Sequence, residues 1–266
     1  MINTLTHSRY GPMLVNARDR YVGEAFLHCG EYSEQEVHAL RQIVEPGDVA
    51  IMAGANIGAL VVPIAQTIGR TGRVLAFEPQ LHVYHLLCAN VALNDLLNVE
   101  CFRYAVGAER GVIEVPRLDP TQEINAGGVS VGQGNDAVPM LSIDSMGLQR
   151  LDILQADVES FELAVLRGAA ATIEAFRPVL YLEADRPAQR GALLTWLVDA
   201  GYHVWEHQPP LWNPDNYAQC EEVRWPDVVS INWLCVHPEN PRDLPECGHL
   251  RRLWPAVTAT PMSEGA

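Results

Sequence analysis

The segment Gly54-Ala55-Asn56-Ile57-Gly58 constrains the fold more than any other part of this 266-residue sequence. It follows a short apolar run at 49–53, a predicted strand, and opens an apolar run at 57–68, a predicted helix. Glycine permits a positive φ and lets the backbone approach a ligand closely, and a helix start presents unpaired N–H groups. This order of elements predicts the first unit of a doubly wound α/β domain, with a ligand held at the loop.

An acidic residue supports that prediction. Glu78 follows the second predicted strand, 24 residues after Gly54, and Pro79 then turns the chain away. At this position a carboxylate can accept hydrogen bonds from the hydroxyls of a ribose. The simplest alternative to a ligand site is a tight turn between strand and helix, followed by an exposed glutamate. A nicotinamide dinucleotide is another, but Asn56 and Ala59 replace two glycines of its motif, so close approach to a pyrophosphate is disfavoured. A ligand with a ribose and no phosphate, such as S-adenosylmethionine, fits better.

The remainder of the chain alternates between apolar strands and helices. Strands that are apolar throughout and separated by helices are typical of a parallel sheet covered on both faces. The predicted strands are 49–53, 73–77, 99–104, 151–156, 179–182, 202–205 and 228–236, and the helical segments are 57–68, 81–93, 161–173 and 193–200. The pattern therefore predicts one α/β domain, doubly wound and mostly parallel.

Segments outside this alternation set the predicted domain limits. Residues 1–46 form an N-terminal extension, in which Ser33 and Glu36 are spaced as a capping box that opens a helix. Residues 47–237 form the ligand-binding domain, with a Gly- and Pro-rich insertion or lid at 112–140. The polar, proline-rich residues 238–266 are predicted to be a loose tail.

The net charge and the cysteine content restrict the kinds of partner and metal site that the sequence predicts. The net charge is -15, from 33 acidic and 18 basic residues. This disfavours nucleic acid, which needs Lys and Arg against its phosphates, and anionic membranes, so a small-molecule or protein substrate is expected. The six cysteines include no C-x-x-C pair, which predicts reduced thiols and no zinc site. The chain lacks a signal core or an apolar run of membrane-spanning length, which predicts a cytoplasmic protein.

Several stretches together resemble the FkbM family of methyltransferases, from about Gly11 to Val236. The stretches that carry the resemblance are 47–58 leading into Val74-Leu75-Ala76-Phe77-Glu78-Pro79, then Ala105-Val106-Gly107, Ala156-Asp157-Val158-Glu159 leading to Val165-Leu166-Arg167-Gly168-Ala169, and Arg177-Pro178-Val179-Leu180 leading to Glu183. The resemblance implies a seven-stranded class I methyltransferase sheet of Rossmann-like type. It also implies S-adenosylmethionine as methyl donor and O-methylation of a secondary-metabolite or sugar hydroxyl.

The resemblance also assigns the donor site by position. The loop residues that would hold the methionine part of the donor are Gly54, Ala55, Asn56 and Gly58. Glu78 and Pro79 would lie at the ribose, and Ala105 and Val106 at the edge of the adenine.

Three residues depart from the family pattern. The family usually has an acidic residue at Met52, Lys at Gln155 and Gly at Ser160. The acid helps to position the loop and the ammonium group of the donor, which Met52 cannot do. These departures lie in the motifs nearest the chemistry, so the alternative is a protein that binds S-adenosylmethionine with lost or altered catalysis. A nicotinamide-dependent oxidoreductase is a further alternative.

Carboxylates at neighbouring strand ends are the candidate catalytic groups. Ligands of open α/β sheets bind outside the carboxyl ends of the strands, where the strand order reverses. Asp157 follows the strand expected beside the first one, so it should lie near the sulfonium and attract the donor, orient the acceptor or take its proton. Glu159 and Glu183 are two more candidates, and together with Asp157 and Asp185 they could form a carboxylate cluster. Such a cluster could raise the pKa of one carboxyl group and create a base, or it could bind a divalent cation. No ligand spacing in the sequence demands a metal.

The loop after residue 206 supplies the remaining candidates. His207 precedes Pro209-Pro210 and could serve as a base near neutral pH. Trp212, Asn213 and Asn216 could line an acceptor pocket, or could simply rigidify the loop.

Overall fold

The computed structural model describes residues 2–129, 132 and 134–255, which form helices and strands around one large sheet. In chain order the elements are β1 (Asn3–Ser8), β2 (Gly11–Asn16), α1 (Val22–Cys29), α2 (Glu34–Ile43), β3 (Val49–Ala53), α3 (Val61–Ile68), β4 (Arg73–Phe77), α4 (Leu81–Leu93), β5 (Val99–Phe102), β6 (Ala105–Val106), β7 (Gly111–Val115), β8 (Asp136–Leu141), β9 (Ile153–Ala156), α5 (Glu162–Gly168), α6 (Ala170–Phe176), β10 (Val179–Glu183), α7 (Pro187–Asp199), β11 (His203–His207), β12 (Asn232–Val236) and β13 (Leu250–Trp254).

The large sheet has the order β13-β11-β12-β10-β9-β3-β4-β5. Strands β5, β4, β3, β9 and β10 are mutually parallel, and β12 runs antiparallel to β10 and β11. The chain moves outward from β3 to β5 and then returns to β9 on the other side of β3. The sheet is therefore doubly wound and mostly parallel, as predicted, and the strand order reverses between β3 and β9.

The prediction of seven strands was wrong because the C-terminal segment adds an eighth. Strand β13 pairs antiparallel with β11 at the edge of the sheet. Leu250 packs against one face of the core and Leu253 against the other, and the Arg252 guanidinium lies 5.5 Å from the centre of the Trp205 ring. Residues 250–254 are thus ordered rather than part of a loose tail, while 256–266 of the predicted tail lie outside the described residues.

Burial on both faces explains why the central strands are apolar throughout. Along β3, Ala50 and Met52 face a core formed with α2, α3 and α4, whereas Ile51 and Ala53 face a core formed with α5, α6 and α7. Side chains alternate between faces along a strand, so all four residues 50–53 are buried although they face opposite sides. Complete burial of a residue such as Ile51 contributes roughly 1.5–3 kcal/mol.

Several predicted element boundaries needed correction. Helix α3 begins at Val61 rather than residue 57, because Asn56 adopts a φ of 50° and residues 54–60 form a loop. The predicted strand 99–104 ends at Phe102, and the predicted helix 161–173 is divided at Ala169. The capping box does not form: Ser33 adopts a φ of 50°, and its hydroxyl donates to the Glu36 carboxylate at 2.5 Å instead of accepting a backbone N–H group.

The segment predicted as a hairpin insertion contains β7 and β8, which pair antiparallel, with β6 on the other side of β8. The connection between them docks on the N-terminal part of the chain, where the Arg20 N–H donates to the Ile124 carbonyl at 2.9 Å. Residues 130, 131 and 133 of this insertion lie outside the described residues. Among the helices that the structure describes, none combines the length and apolar character needed to cross a bilayer.

Candidate active site

Two adjoining cavities open at the carboxyl ends of β3, β4, β9 and β10. The aromatic cavity is lined by residues that include Phe77, Glu78, Gln80, Tyr104, Ala105, Val106, Ala126 and Phe161. The acidic cavity is lined by residues that include Tyr32, Glu36, Met52, Ala55, Gln155, Glu183, Asp185, Leu211 and Asn232. Gly54, Asn56, Gly127, Asp157 and Glu159 border both. The cleft thus lies where the strand order reverses, the expected place for a ligand.

Gly54 is required by close backbone contact between β3 and β9. Its φ is 81°, and a Cβ atom there would lie 1.7 Å from the Asp157 carbonyl oxygen. The N–H groups of Gly54 and Ala55 both donate to the Phe77 carbonyl, at 3.0 and 2.9 Å. Gly58 has a different position from the one predicted: it is buried against Leu87 and lines neither cavity. Gly58 therefore packs on the core side of the loop and does not border the cleft.

Glu78 joins the loop to the aromatic cavity. Its carboxylate is 4% exposed and accepts the N–H groups of Asn56 at 3.0 Å and Gln80 at 2.9 Å. Burial raises the pKa of Glu78 to about 7, against the pull of these two hydrogen bonds. Pro79 follows in the same wall. Among the described residues each oxygen has one donor, so the carboxylate can accept further hydrogen bonds from a ligand.

The walls of the aromatic cavity suit a flat aromatic base. Phe77 lies on one side and stacks on Phe102 with ring centres 5.0 Å apart. Tyr104 and Phe161 add further rings to the lining, which the sequence prediction did not include. Ala105 and Val106, which the resemblance predicts at the edge of the adenine, are 4% and 3% exposed and line this cavity.

The side-chain amide of Gln80 adds a polar group to the aromatic cavity. Gln80 donates from Nε2 to the Ala126 carbonyl at 2.8 Å. Its buried Oε1 atom has no partner among the described residues, so it can accept a donor group from a ligand.

Three of the predicted carboxylates come together in the cleft. Oxygen atoms of Asp157, Glu159 and Glu183 lie within 4.8 Å of one another, because β9 and β10 are neighbouring parallel strands. Arg186 forms ion pairs with Glu159 and with Asp185, the latter at 3.3 Å. Asp157 remains accessible at the bottom of the cleft.

The surroundings of these carboxylates favour their protonated forms. Desolvation by the cleft walls, followed by the charge of Glu159, raises the pKa of Asp157 well above its usual range. Desolvation, followed by the charge of Asp157, raises the pKa of Glu183 in the same direction. Two carboxyl groups held this close bind one proton strongly between them. The pair can therefore act as a proton acceptor for a ligand group.

The structure contradicts the prediction that His207 faces the substrate. His207 is the last residue of β11, is 1% exposed and lines neither cavity. Its Nδ1 atom lies 2.7 Å from the Tyr181 hydroxyl and its Nε2 atom 3.7 Å from the Cys247 sulfur. Burial lowers the pKa of His207 to about 4, so the neutral ring serves the packing of β11.

The loop after β11 is held mainly by its own polar residues. Asn213 donates to the Glu31 carboxylate at 2.7 Å, and Asn216 donates to the Asn213 and Cys220 carbonyls. Trp212 borders a separate depression at the surface. The two asparagines rigidify the loop, whereas Leu211 and residues 228–231 of the same loop line the acidic cavity.

Residues distant in sequence complete the acidic cavity. Tyr32 and Glu36 come from the N-terminal extension and Asn232 from the start of β12. The sequence prediction missed them, because helical spacing on α2 indicates only a packing face. Gly127 of the insertion lies across both cavities, close to the Asn56 side chain. The insertion therefore occupies the position of a lid over the cleft.

Comparisons with known proteins identify relatives of the chain. The Methyltransferase FkbM domain model matches residues 53–204. Methyltransferase sdnD of Sordaria araneosa is 26% identical over 202 residues, which cover 62% of this chain and 77% of that protein. The crystal structure of methyltransferase FkbM from Methylobacillus flagellatus is 16% identical with a TM-score of 0.49. That match covers 72% of this chain, which spans 44% of the other chain's length. A SAM-dependent O-methyltransferase from Thermotoga maritima is 17% identical, with a TM-score of 0.45, over 77% of this chain and 64% of that one.

Proposed function

The chain belongs to the FkbM family of methyltransferases, and from this premise we propose that it transfers the methyl group of S-adenosylmethionine to a hydroxyl group of a small-molecule acceptor. The observation that carries the proposal is that the aromatic and acidic cavities meet at Gly54 and Asp157. A space with aromatic walls thus adjoins a second space that is lined by carboxyl groups.

The aromatic cavity would hold the adenosine part of the donor. Glu78 would accept hydrogen bonds from the ribose hydroxyls, since each of its oxygens has one donor among the described residues. Ala105 and Val106 would lie along the adenine, and the unpaired Gln80 Oε1 atom could accept from its amino group. The loop residues Gly54, Ala55 and Asn56 would lie at the methionine part.

Asp157 is the group best placed to act on the acceptor. S-adenosylmethionine, when bound, supplies a methyl group on a positively charged sulfur. In the transfer a carbon–oxygen bond to the acceptor forms as the carbon–sulfur bond breaks, and the acceptor hydroxyl loses its proton. The proposal assigns that proton to Asp157, whose carboxylate lies within 4.8 Å of that of Glu183, so that the two groups can share it. Glu159, paired with Arg186, would hold the turn in position.

One observation favours a second candidate, a donor-binding protein that has lost turnover. Met52 is 1% exposed at the floor of the acidic cavity and offers no hydrogen-bonding group of the kind the family usually has there. Donor binding without S-adenosylhomocysteine formation on any acceptor would distinguish this candidate from the enzyme.

Calorimetric titration with S-adenosylmethionine, S-adenosylhomocysteine and NAD tests the proposal. We expect micromolar binding of both adenosyl ligands, no binding of NAD, and weaker adenosyl binding to a Glu78→Ala variant. A Glu109→Ala variant is the matched control, since Glu109 is exposed and lines neither cavity. Absence of adenosyl binding to the unmodified protein would refute the proposal, and NAD binding alone would favour an oxidoreductase.

A further inference from the structure

The acidic cavity contains several carboxyl groups without a basic partner among the described residues. Five carboxylates line it, and none of the described residues that line it is Lys, Arg or His. The lining carboxylates are Glu36, Asp157, Glu159, Glu183 and Asp185. Arg186, from outside the lining, pairs with Glu159 and Asp185. Within the described part of the chain, Glu36, Asp157 and Glu183 have no ion-pair partner.

Asn232 provides an independent indication of a ligand at the same place. Its side chain is 95% buried, since the residue is 5% exposed, and it lines the acidic cavity. Its Nδ2 atom has no hydrogen-bond partner among the described residues, although Glu36 and Tyr181 lie close enough for Asn232 to lower their pKa values. A buried donor without a partner costs roughly 1–3 kcal/mol, which a ligand oxygen can recover.

Donor and acceptor groups of this cavity lie side by side on the sheet. Glu183 and Asn232 are directly opposed partners in the antiparallel strands β10 and β12, and such partners have Cβ atoms about 4.5–5.5 Å apart. The buried Oε2 atom of Glu183 also lacks a partner among the described residues. A ligand that fits both must therefore present a hydrogen-bond donor and an oxygen acceptor close together, as on adjacent carbon atoms.

The mouth of the cavity is apolar. Leu211, Val228 and Val229 line it, and Val228 and Val229 are 37% and 45% exposed. A ligand with an apolar or ring-shaped body can cover these side chains while its polar groups reach the carboxylates. The lining offers no positive group to an anionic ligand.

We propose that the acceptor is an amino alcohol with an apolar body, bound so that its protonated amine contacts Glu183 and Glu36 while its hydroxyl oxygen accepts a hydrogen bond from Asn232. This assignment rests on the proposed function and specifies its acceptor. The hydroxyl proton passes to Asp157 as the carbon–oxygen bond forms, as in the reaction already described. The amine stays protonated, so it is a recognition group and not the methylated atom.

Three compounds with the same hydroxylated cyclohexane ring test the assignment on protein loaded with S-adenosylhomocysteine. They are trans-2-aminocyclohexanol, trans-cyclohexane-1,2-diol and trans-2-hydroxycyclohexanecarboxylate, which differ only in the group beside the hydroxyl. Binding is measured by ligand-detected NMR titration. We expect the amino alcohol to bind at least about tenfold more tightly than the diol, a difference of about 1.4 kcal/mol, and the hydroxy acid to show no binding.

Two variants test whether the acidic cavity causes the preference for the amino alcohol. Glu183→Gln keeps the size of the side chain and should remove the preference for the amino alcohol, whereas Glu109→Gln, at an exposed position outside the cavity, should retain it. Thermal unfolding checks that both variants are folded. If Glu183→Gln does not fold, the comparison of the three compounds on the unmodified protein still decides the question.

The outcomes separate this proposal from the proposed function. If S-adenosylhomocysteine does not bind, both fail. If it binds but the diol or the hydroxy acid binds as tightly as the amino alcohol, or none of the three binds, only the acceptor assignment is overturned. The same conclusion follows if Mn²⁺ binds at micromolar concentration in a Glu183-dependent manner and excludes the amino alcohol, because the cluster would then be a cation site.

Discussion

Met52 and Gln155 are directly opposed partners in the parallel strands β3 and β9, and both line the floor of the acidic cavity. They are 1% and 5% exposed. The resemblance to the FkbM family places an acid and a lysine at these positions. Since the two positions are neighbours across the sheet, the replacements remove two opposite charges together. Neither residue therefore leaves a buried charge without a partner.

A single acidic substitution at this pair should destabilise the protein. Met52→Asp places an unpaired carboxylate beside Gln155, and leaving a buried charge unpaired costs about 3–5 kcal/mol. The double variant Met52→Asp with Gln155→Lys should recover at least half of the loss. Urea unfolding measures both. A Met52→Asp protein as stable as the unmodified one would show that water reaches the cavity floor freely.

Removal of the Glu78 carboxylate should weaken donor binding. Glu78→Ala should lower the affinity for S-adenosylhomocysteine by roughly 1–3 kcal/mol, about 5–150-fold, because hydrogen bonds to a charged group are lost. Calorimetric titration measures the change, with Glu109→Ala as control. An unchanged affinity would mean that the ribose is held by other residues.

The pH dependence of stability should report the burial of Glu78. Its pKa is raised from 4.5 to about 7 in the folded protein, so the folded state holds this proton more tightly than the unfolded state does. The contribution of Glu78 to stability is complete below pH 4.5 and is lost as pH rises through about 7. Relative to Glu78→Gln, the unmodified protein should therefore lose stability between these pH values. The difference in unfolding free energy across that range checks the sign, and a constant difference would contradict it.

Asp157 and His207 should respond differently to substitution. Asp157→Asn should reduce turnover by about 10²–10⁴-fold, the usual contribution of a positioned base, with a smaller change in S-adenosylhomocysteine affinity. His207→Phe should lower the free energy of unfolding by about 1–3 kcal/mol, because the buried Tyr181 hydroxyl loses its partner. The folded fraction should keep its turnover. A large loss of turnover in folded His207→Phe would restore the histidine as a functional residue.

A buried ion pair connects the segment before β13 to the residue that precedes β3. Arg242 binds both oxygens of Asp48, at 2.6 and 2.7 Å, and the two side chains are 9% and 1% exposed. Arg242→Met should lower the free energy of unfolding by about 3–5 kcal/mol. Arg177→Met is the matched control, since Arg177 pairs with Glu239 at the surface and should contribute only about 0–1 kcal/mol. Equal effects of the two variants on urea unfolding would contradict this difference.

The sequence by itself determined the ligand-binding half of the cleft. Strands β3 and β4 and helix α4 were predicted with the residue limits that the structure has, and Glu78 was placed at the end of β4. These features follow from periodicity and turn residues within a few positions along the chain. The meeting of Asp157 and Glu183 was also predictable, because neighbouring parallel strands bring their carboxyl ends to the same edge.

Only the tertiary structure decided what faces the acidic cavity and what closes the sheet. Glu36 and Asn232 meet there from opposite ends of the chain, His207 is directed into the core instead of the cleft, and residues 250–254 become an edge strand. None of these arrangements has a local signal. Each depends on which distant apolar surfaces are buried together, and on the strand register that follows from that burial.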